Sequence, residues 1–261
     1  MAQTWTSAHT AATEPVIRKI TIHDVREALT RGIDDFNEIP TQLVFLSILY
    51  PVIGLIAARA AWGGDMLPLF FPLVAGLTLM GPLLATGIYE LSRRREKGLP
   101  VSWINSFDAF RSPAILSIVT LGIVLLAIFV AWIAAARGIY EATLGGAAPR
   151  SIGVFLWLVF NTSEGWTLIV VGNLVGFLFA VLVLSLSVVS FPLMLDRNVG
   201  VETAIRTSLR AVATNPLPMA LWGLIVAVAL FLGCLPLFVG LAVVMPVLGH
   251  ATWHLYRKTV V

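Results

Sequence analysis

Apolar and polar positions alternate along this chain on a scale far longer than a helical turn. Uncharged runs occupy Thr41–Ala58, Met66–Tyr89, Ser112–Ala136, Gly165–Leu195 and residues 211–249. A helix crosses the hydrocarbon layer with roughly 20 residues at about 1.5 Å each, so the first four runs predict one crossing apiece. The last run would extend to nearly 60 Å as a single helix, about twice the bilayer core. It contains Gly233-Cys234-Leu235-Pro236, and proline removes a backbone donor and clashes with the preceding turn. The pattern therefore predicts two helices, about 218–234 and 237–256. The expected fold is an all-α membrane protein with six transmembrane helices.

Between these runs the pattern changes to amphipathic. Ile22, Val25, Leu29, Ile33 and Phe36 form one apolar stripe at helical spacing, and Thr21 with Asp24 three residues on predicts a capping box. Trp103, Phe107 and Phe110 share a second face, and Val201, Ile205, Leu209 and Val212 a third. Each stripe ends shortly before a proline, Pro40, Pro113 or Pro216, where an interfacial helix would turn into the membrane. The acidic positions Asp24, Glu27, Asp34, Asp35 and Glu38 read as a solvated face able to dock a basic partner. Residues 1–19 are polar and small and read as a flexible tail. Ser151–Phe160 is uncharged but too short to span, within an external insertion at about 138–164.

Basic residues orient this scheme. Fourteen of the 17 Lys and Arg fall before the first span, between the second and third, between the fourth and fifth, or after the sixth, leaving Arg59, Arg137 and Arg150 on the other side. By the positive-inside rule both termini are cytoplasmic. The closing helices also repeat. Pro82–Arg94 aligns without a gap on Pro246–Lys258, matching proline, leucine, an aromatic and a basic pair. This predicts three pseudo-repeats at about 20–98, 99–199 and 200–258, each one interfacial helix followed by two spans.

Composition narrows the function classes. The chain of 261 residues is 58% hydrophobic and 12% charged, with a mean hydropathy of +0.92. A soluble domain carries about 25% charged residues, so no polar stretch here is long enough for a separate catalytic domain. The net charge of +3, spread over membrane-flanking loops, suits anionic lipid, not nucleic acid. Cys234 is the single cysteine, which excludes an intrachain disulfide and a cysteine metal cluster. No acid or base sits in the middle of a span, which argues against proton or ion coupling. These features point away from an enzyme.

Three candidate groups remain. His250 and His254 lie one turn apart, a spacing that lets both ligate one metal. The repeat alignment places Glu90 opposite His254, so His250, His254 and Glu90 form the candidate metal set. Gly172, Asn173 and Gly176 combine small-residue spacing with an amide that would hydrogen-bond across a helix interface. Tyr89, Trp103, Trp253 and Tyr256, with Arg93, Arg94, Arg257 and Lys258, read as an interfacial anchor belt.

The runs GPLLATGIYELSRRREKGLPVSW, GWTLIVVGNLVGFLFAVLVLSLSVVSFPLMLDR and PVLGHATWHLYRK resemble a family of proteobacterial predicted integral membrane proteins, the domain of unknown function 2189, over about residues 20–258. The resemblance implies a bacterial inner-membrane protein and carries no catalytic residues. The leading expectation is an accessory subunit or assembly scaffold of a larger membrane complex, for instance a respiratory one, with other membrane subunits as partners. Bound phospholipid is the expected small-molecule companion, and no cofactor is expected. A small transporter or lipid-handling protein, and a metal- or haem-binding protein using the C-terminal histidines, are the alternatives.

Overall fold

A computed structural model describes residues 15–39, 52–56, 64–146, 149 and 151–261. The expected first span, Thr41–Ala58, lies outside the described residues apart from a helical stretch at 52–56. Eleven helices are labelled here: α1 Ile22–Glu38, α2 Phe70–Leu79, α3 Gly81–Leu84, α4 Thr86–Glu96, α5 Ile115–Leu144, α6 Ile152–Asn161, α7 Ser163–Ser187, α8 Ser190–Arg197, α9 Val201–Thr214, α10 Pro216–Cys234 and α11 Leu241–Thr259. Two 3-10 segments, Gly64–Leu69 and Trp103–Arg111, precede α2 and α5. The described residues contain no strand, only an antiparallel bridge between Ile17 and Val260.

Among the described residues three helical stretches are long and apolar enough to cross a membrane: Ile115–Leu144, Ser163–Arg197 and Pro216–Cys234. Only 22% to 33% of the most apolar window in each is buried. Their outward faces therefore have no protein cover, as expected for helices solvated by lipid. The stretch expected as a second span is broken, with 3-10 geometry to Leu69, α2 to Leu79, then α3 and α4. Pro82, at the start of α3, lacks the donor that would continue α2. The predicted break in the last run is present. α10 ends at Cys234, and the turn to α11 passes through Leu237 and Phe238 at positive φ. Gly233 and Gly240 then meet backbone to backbone; a Cβ on Gly240 would lie 2.8 Å from Gly233 Cα.

The best-buried part of the protein lies where α1, α4, α8, α9 and α11 meet. Phe191, Leu193, Met194, Ala204, Ala251, Trp253, Leu255 and Tyr256 are all at 1% exposure or less. α1 carries the predicted Thr21–Asp24 capping box. Its buried face is rotated from the predicted stripe: Val25, Ala28, Gly32 and Asp35 face the protein, while Ile22 and Ile33 are more than 40% exposed. α9 does the same with Ala204, Thr207, Ser208 and Ala211. Small side chains decide these contacts because they let the backbones approach. Within the expected tail 1–19, the described residues are tied down. Arg18 N–H donates to Thr259 O (2.8 Å) and Val261 N–H to Val16 O (3.0 Å), so the two end segments are joined.

Candidate functional site

The C-terminal half of α11 is tied to three other helices by polar side chains. Toward α1, Lys258 reaches Asp24 (3.3 Å) and Glu27 (2.7 Å). Toward α4, Trp253 Nε1–H and Arg257 both donate to Glu96, at 3.0 and 2.9 Å. Toward α8, the Tyr256 hydroxyl donates to Asp196 (2.8 Å), which Arg257 also approaches at 3.3 Å.

At the centre of this layer sits Asp35, 3% exposed. Ser92 Oγ–H donates to its Oδ2 (2.5 Å), His254 Nε2–H donates to the same oxygen (2.8 Å), and the Arg95 guanidinium bridges its Oδ1 to Glu38. Burial raises the Asp35 pKa, but the hydrogen bonds from His254 and Ser92, with the charge of the histidines, outweigh it and hold the carboxyl below its ordinary value. Asp24 is likewise lowered, first by the Thr21 backbone N–H. With Asp35 ionised, the single Ser92 proton is committed to it. His250, whose Nδ1 lies 2.7 Å from Ser92 Oγ, must then donate through Nδ1–H. Its Nε2 is buried with no hydrogen-bond partner among the described residues. An open cavity of about 480 Å³ adjoins the cluster, lined by Arg31, Asp34, Asp35, Ser92 and His254 among others.

This geometry revises the candidate residues. The two histidines do converge on one carboxylate, but it belongs to Asp35 and not to Glu90. Glu90 is buried against Arg93, whose Nε–H donates to it at 2.8 Å. Among the described residues no three His, Cys, Asp or Glu side chains form a group that could hold a metal ion. The histidine nitrogens nearest Asp35 are occupied as donors.

The anchor belt dissolves in part. Tyr89, Trp253 and Tyr256 are core residues at 2%, 1% and 0% exposure, whereas Trp103 is 49% exposed. Arg94 pairs with Asp108, and Arg257 and Lys258 with the acids named above. Within Gly172, Asn173 and Gly176, Gly176 meets another helix, its Cβ position being 3.1 Å from the Trp132 ring, and Gly172 meets nothing within 4 Å among the described residues. Asn173 is exposed and its amide folds back onto Ile169 O of its own helix (2.7 Å), with no cross-helix bond among the described residues. Asp35 and Ser92 went unnoticed as site residues because each reads as one more polar position on a solvated helix face.

Long apolar helices with uncovered faces, capped by a buried polar layer, define a helical membrane protein. Residues 70–196, from α2 into α8, match the model of a family described as a predicted integral membrane protein, the domain of unknown function 2189. The match covers a shorter stretch than the expected 20–258. No curated protein and no solved structure matches the chain.

Proposed function

We propose that the protein is a non-catalytic, multi-pass component of the bacterial inner membrane, acting as an accessory subunit or assembly scaffold in a larger membrane complex. The observation that carries this reading is the large uncovered apolar surface of α5, α7 and α10, including Leu116, Ile123, Phe177, Leu178 and Phe231, each at least 59% exposed. Such faces suit lipid and neighbouring transmembrane helices. The acids and bases of the polar layer are for the most part spent on one another, which suits a locking role better than turnover. Six crossings with both termini cytoplasmic, arranged as three pseudo-repeated units, remain the proposed topology. The Ile17–Val260 bridge supports it, since joined end segments require an even number of crossings.

Purification in mild detergent followed by native mass spectrometry tests the reading. Stoichiometric membrane subunits retained with the protein are the expected result. A protein recovered alone in repeated preparations, with bound lipid only, overturns it. Cysteine accessibility at both ends in sealed vesicles tests the topology, and labelling of the two ends from opposite sides overturns it.

A further inference from the structure

The 3-10 segment Trp103–Arg111 has three residues per turn, so its side chains stack in three columns. Ser106 and Ala109 lie in the column nearest the protein, while Trp103 at its head is exposed. Ala109 is 4% exposed, and a Cβ on Gly87 would lie 2.9 Å from Ser106 O. Asn105, Asp108 and Arg111 form a polar column bonded along itself. Asn105 Nδ2–H donates to Asp108 at 2.9 Å and Arg111 approaches it at 3.7 Å, while Arg94 of α4 clamps the same carboxylate at 3.2 Å. The third column is Ile104, Phe107 and Phe110, exposed by 58%, 50% and 69%. Phe107 stacks on Phe110 and meets the Trp103 edge, making one continuous aromatic patch.

We propose that this column is a lipid-docking surface that seats Ile104, Phe107 and Phe110 at the acyl-chain boundary of an anionic leaflet, with Lys97 and Arg111 at its phosphate layer. Two features select lipid as the occupant. First, the patch is continuous with a lipid-facing stripe. After the turn at Pro113, α5 exposes Leu116, Val119, Ile123, Leu126 and Val130 at helical spacing. Second, exposed basic residues bracket the segment along the chain, Lys97 before it and Arg111, with 87% of its side chain exposed, at its end. Exposed aromatic rings with cations near them in the chain are the combination that the headgroup region rewards. The Arg94–Asp108 pair ties the segment to α4. This inference goes beyond the proposed function and stands whether or not partner subunits exist.

The test uses the full chain with Cys234→Ser, carrying Phe107→Cys, Phe110→Cys or Arg111→Cys, each nitroxide-labelled. The variants are reconstituted in phosphatidylcholine vesicles with and without phosphatidylglycerol. All three positions are exposed, so the substitutions leave the packing intact. Power-saturation measurements with oxygen and a water-soluble nickel complex should show oxygen access exceeding nickel access at 107 and 110, with the order inverted at 111. Greater nickel access at 107 and 110 overturns the proposal. So does loss of access to both agents, which would mean that a second copy or another protein covers the patch. Removing phosphatidylglycerol should make the 110 label shallower; unchanged depth overturns the assignment of Lys97 and Arg111 to anionic headgroups.

Discussion

Gly32 of α1 lies so close to Ala251 of α11 that a Cβ on Gly32 would sit 2.5 Å from the Ala251 backbone nitrogen and 2.6 Å from its Cβ. Backbone cannot yield as a side-chain tip can. Gly32→Ala should therefore cost about 1–3 kcal/mol, and Gly32→Leu should separate the helices. Thermal midpoints in detergent would measure this. Adding Ala251→Gly should recover only part of the loss in Gly32→Ala, because the nitrogen remains.

Asp35 accepts from Ser92, His254 and Arg95 while almost fully buried. Asp35→Asn preserves shape but takes the charged acceptor from Ser92 and His254 and leaves Arg95 with Glu38 alone, and should cost about 3 kcal/mol. The neighbouring Asp34 is exposed, so Asp34→Asn should stay within about 0.5 kcal/mol. Denaturant unfolding of the two variants side by side makes the comparison.

The lowered Asp35 pKa has a direct consequence for acid stability. A carboxyl with a folded pKa below its unfolded value stabilises the fold fully above the unfolded value, about 3.9. That contribution is lost as pH falls through the folded value. Stability should thus be insensitive to Asp35 between neutral pH and about 5, then decline below about 4. In Asp35→Asn this part of the acid limb should be missing when unfolding is followed against pH.

Asn173 and Gly176 should respond in opposite ways, although they are three residues apart on α7. Asn173→Ala removes only a bond to its own helix and should change stability by less than about 0.5 kcal/mol. Gly176→Leu drives a side chain into the Trp132 ring, which is itself held by a hydrogen bond from Nε1–H to Pro72 O (2.9 Å). That variant should lose about 1–3 kcal/mol, read as a lowered midpoint in detergent.

Large-scale features of the fold were legible from local chemistry. Helices α5, α7 and α10 follow from length and hydropathy, the α10–α11 break from Pro236, and the start of α1 from Thr21 and Asp24. The polar layer was not legible. Its central bonds join residues far apart in the chain, Asp35 to Ser92 and to His254, and no local period encodes such a partner. Helical periodicity weights large apolar residues, so it marked Ile22 and Ile33 on α1. The contact is in fact set by Ala28 and Gly32, which contribute little hydropathy but permit close approach. Tyr89, Trp253 and Tyr256 were misread for a related reason. An aromatic beside a basic residue marks an interfacial belt and also the underside of a buried ion-pair layer, and sequence does not distinguish the two.

The Ile17–Val260 bridge and the seam from Gly32 to Ala251 join some of the first residues of the chain to some of the last. A polypeptide inserted into a membrane as it leaves the ribosome thus emerges with α1 long before α11 exists. Until then Asp35 lacks His254, and the small-residue face of α1 has nothing to close against. The polar layer cannot be completed before α11 has been made, after the other helices. A chain stopped short of α11 would leave Asp35 without His254, Asp24 and Glu27 without Lys258, and the small-residue face of α1 open.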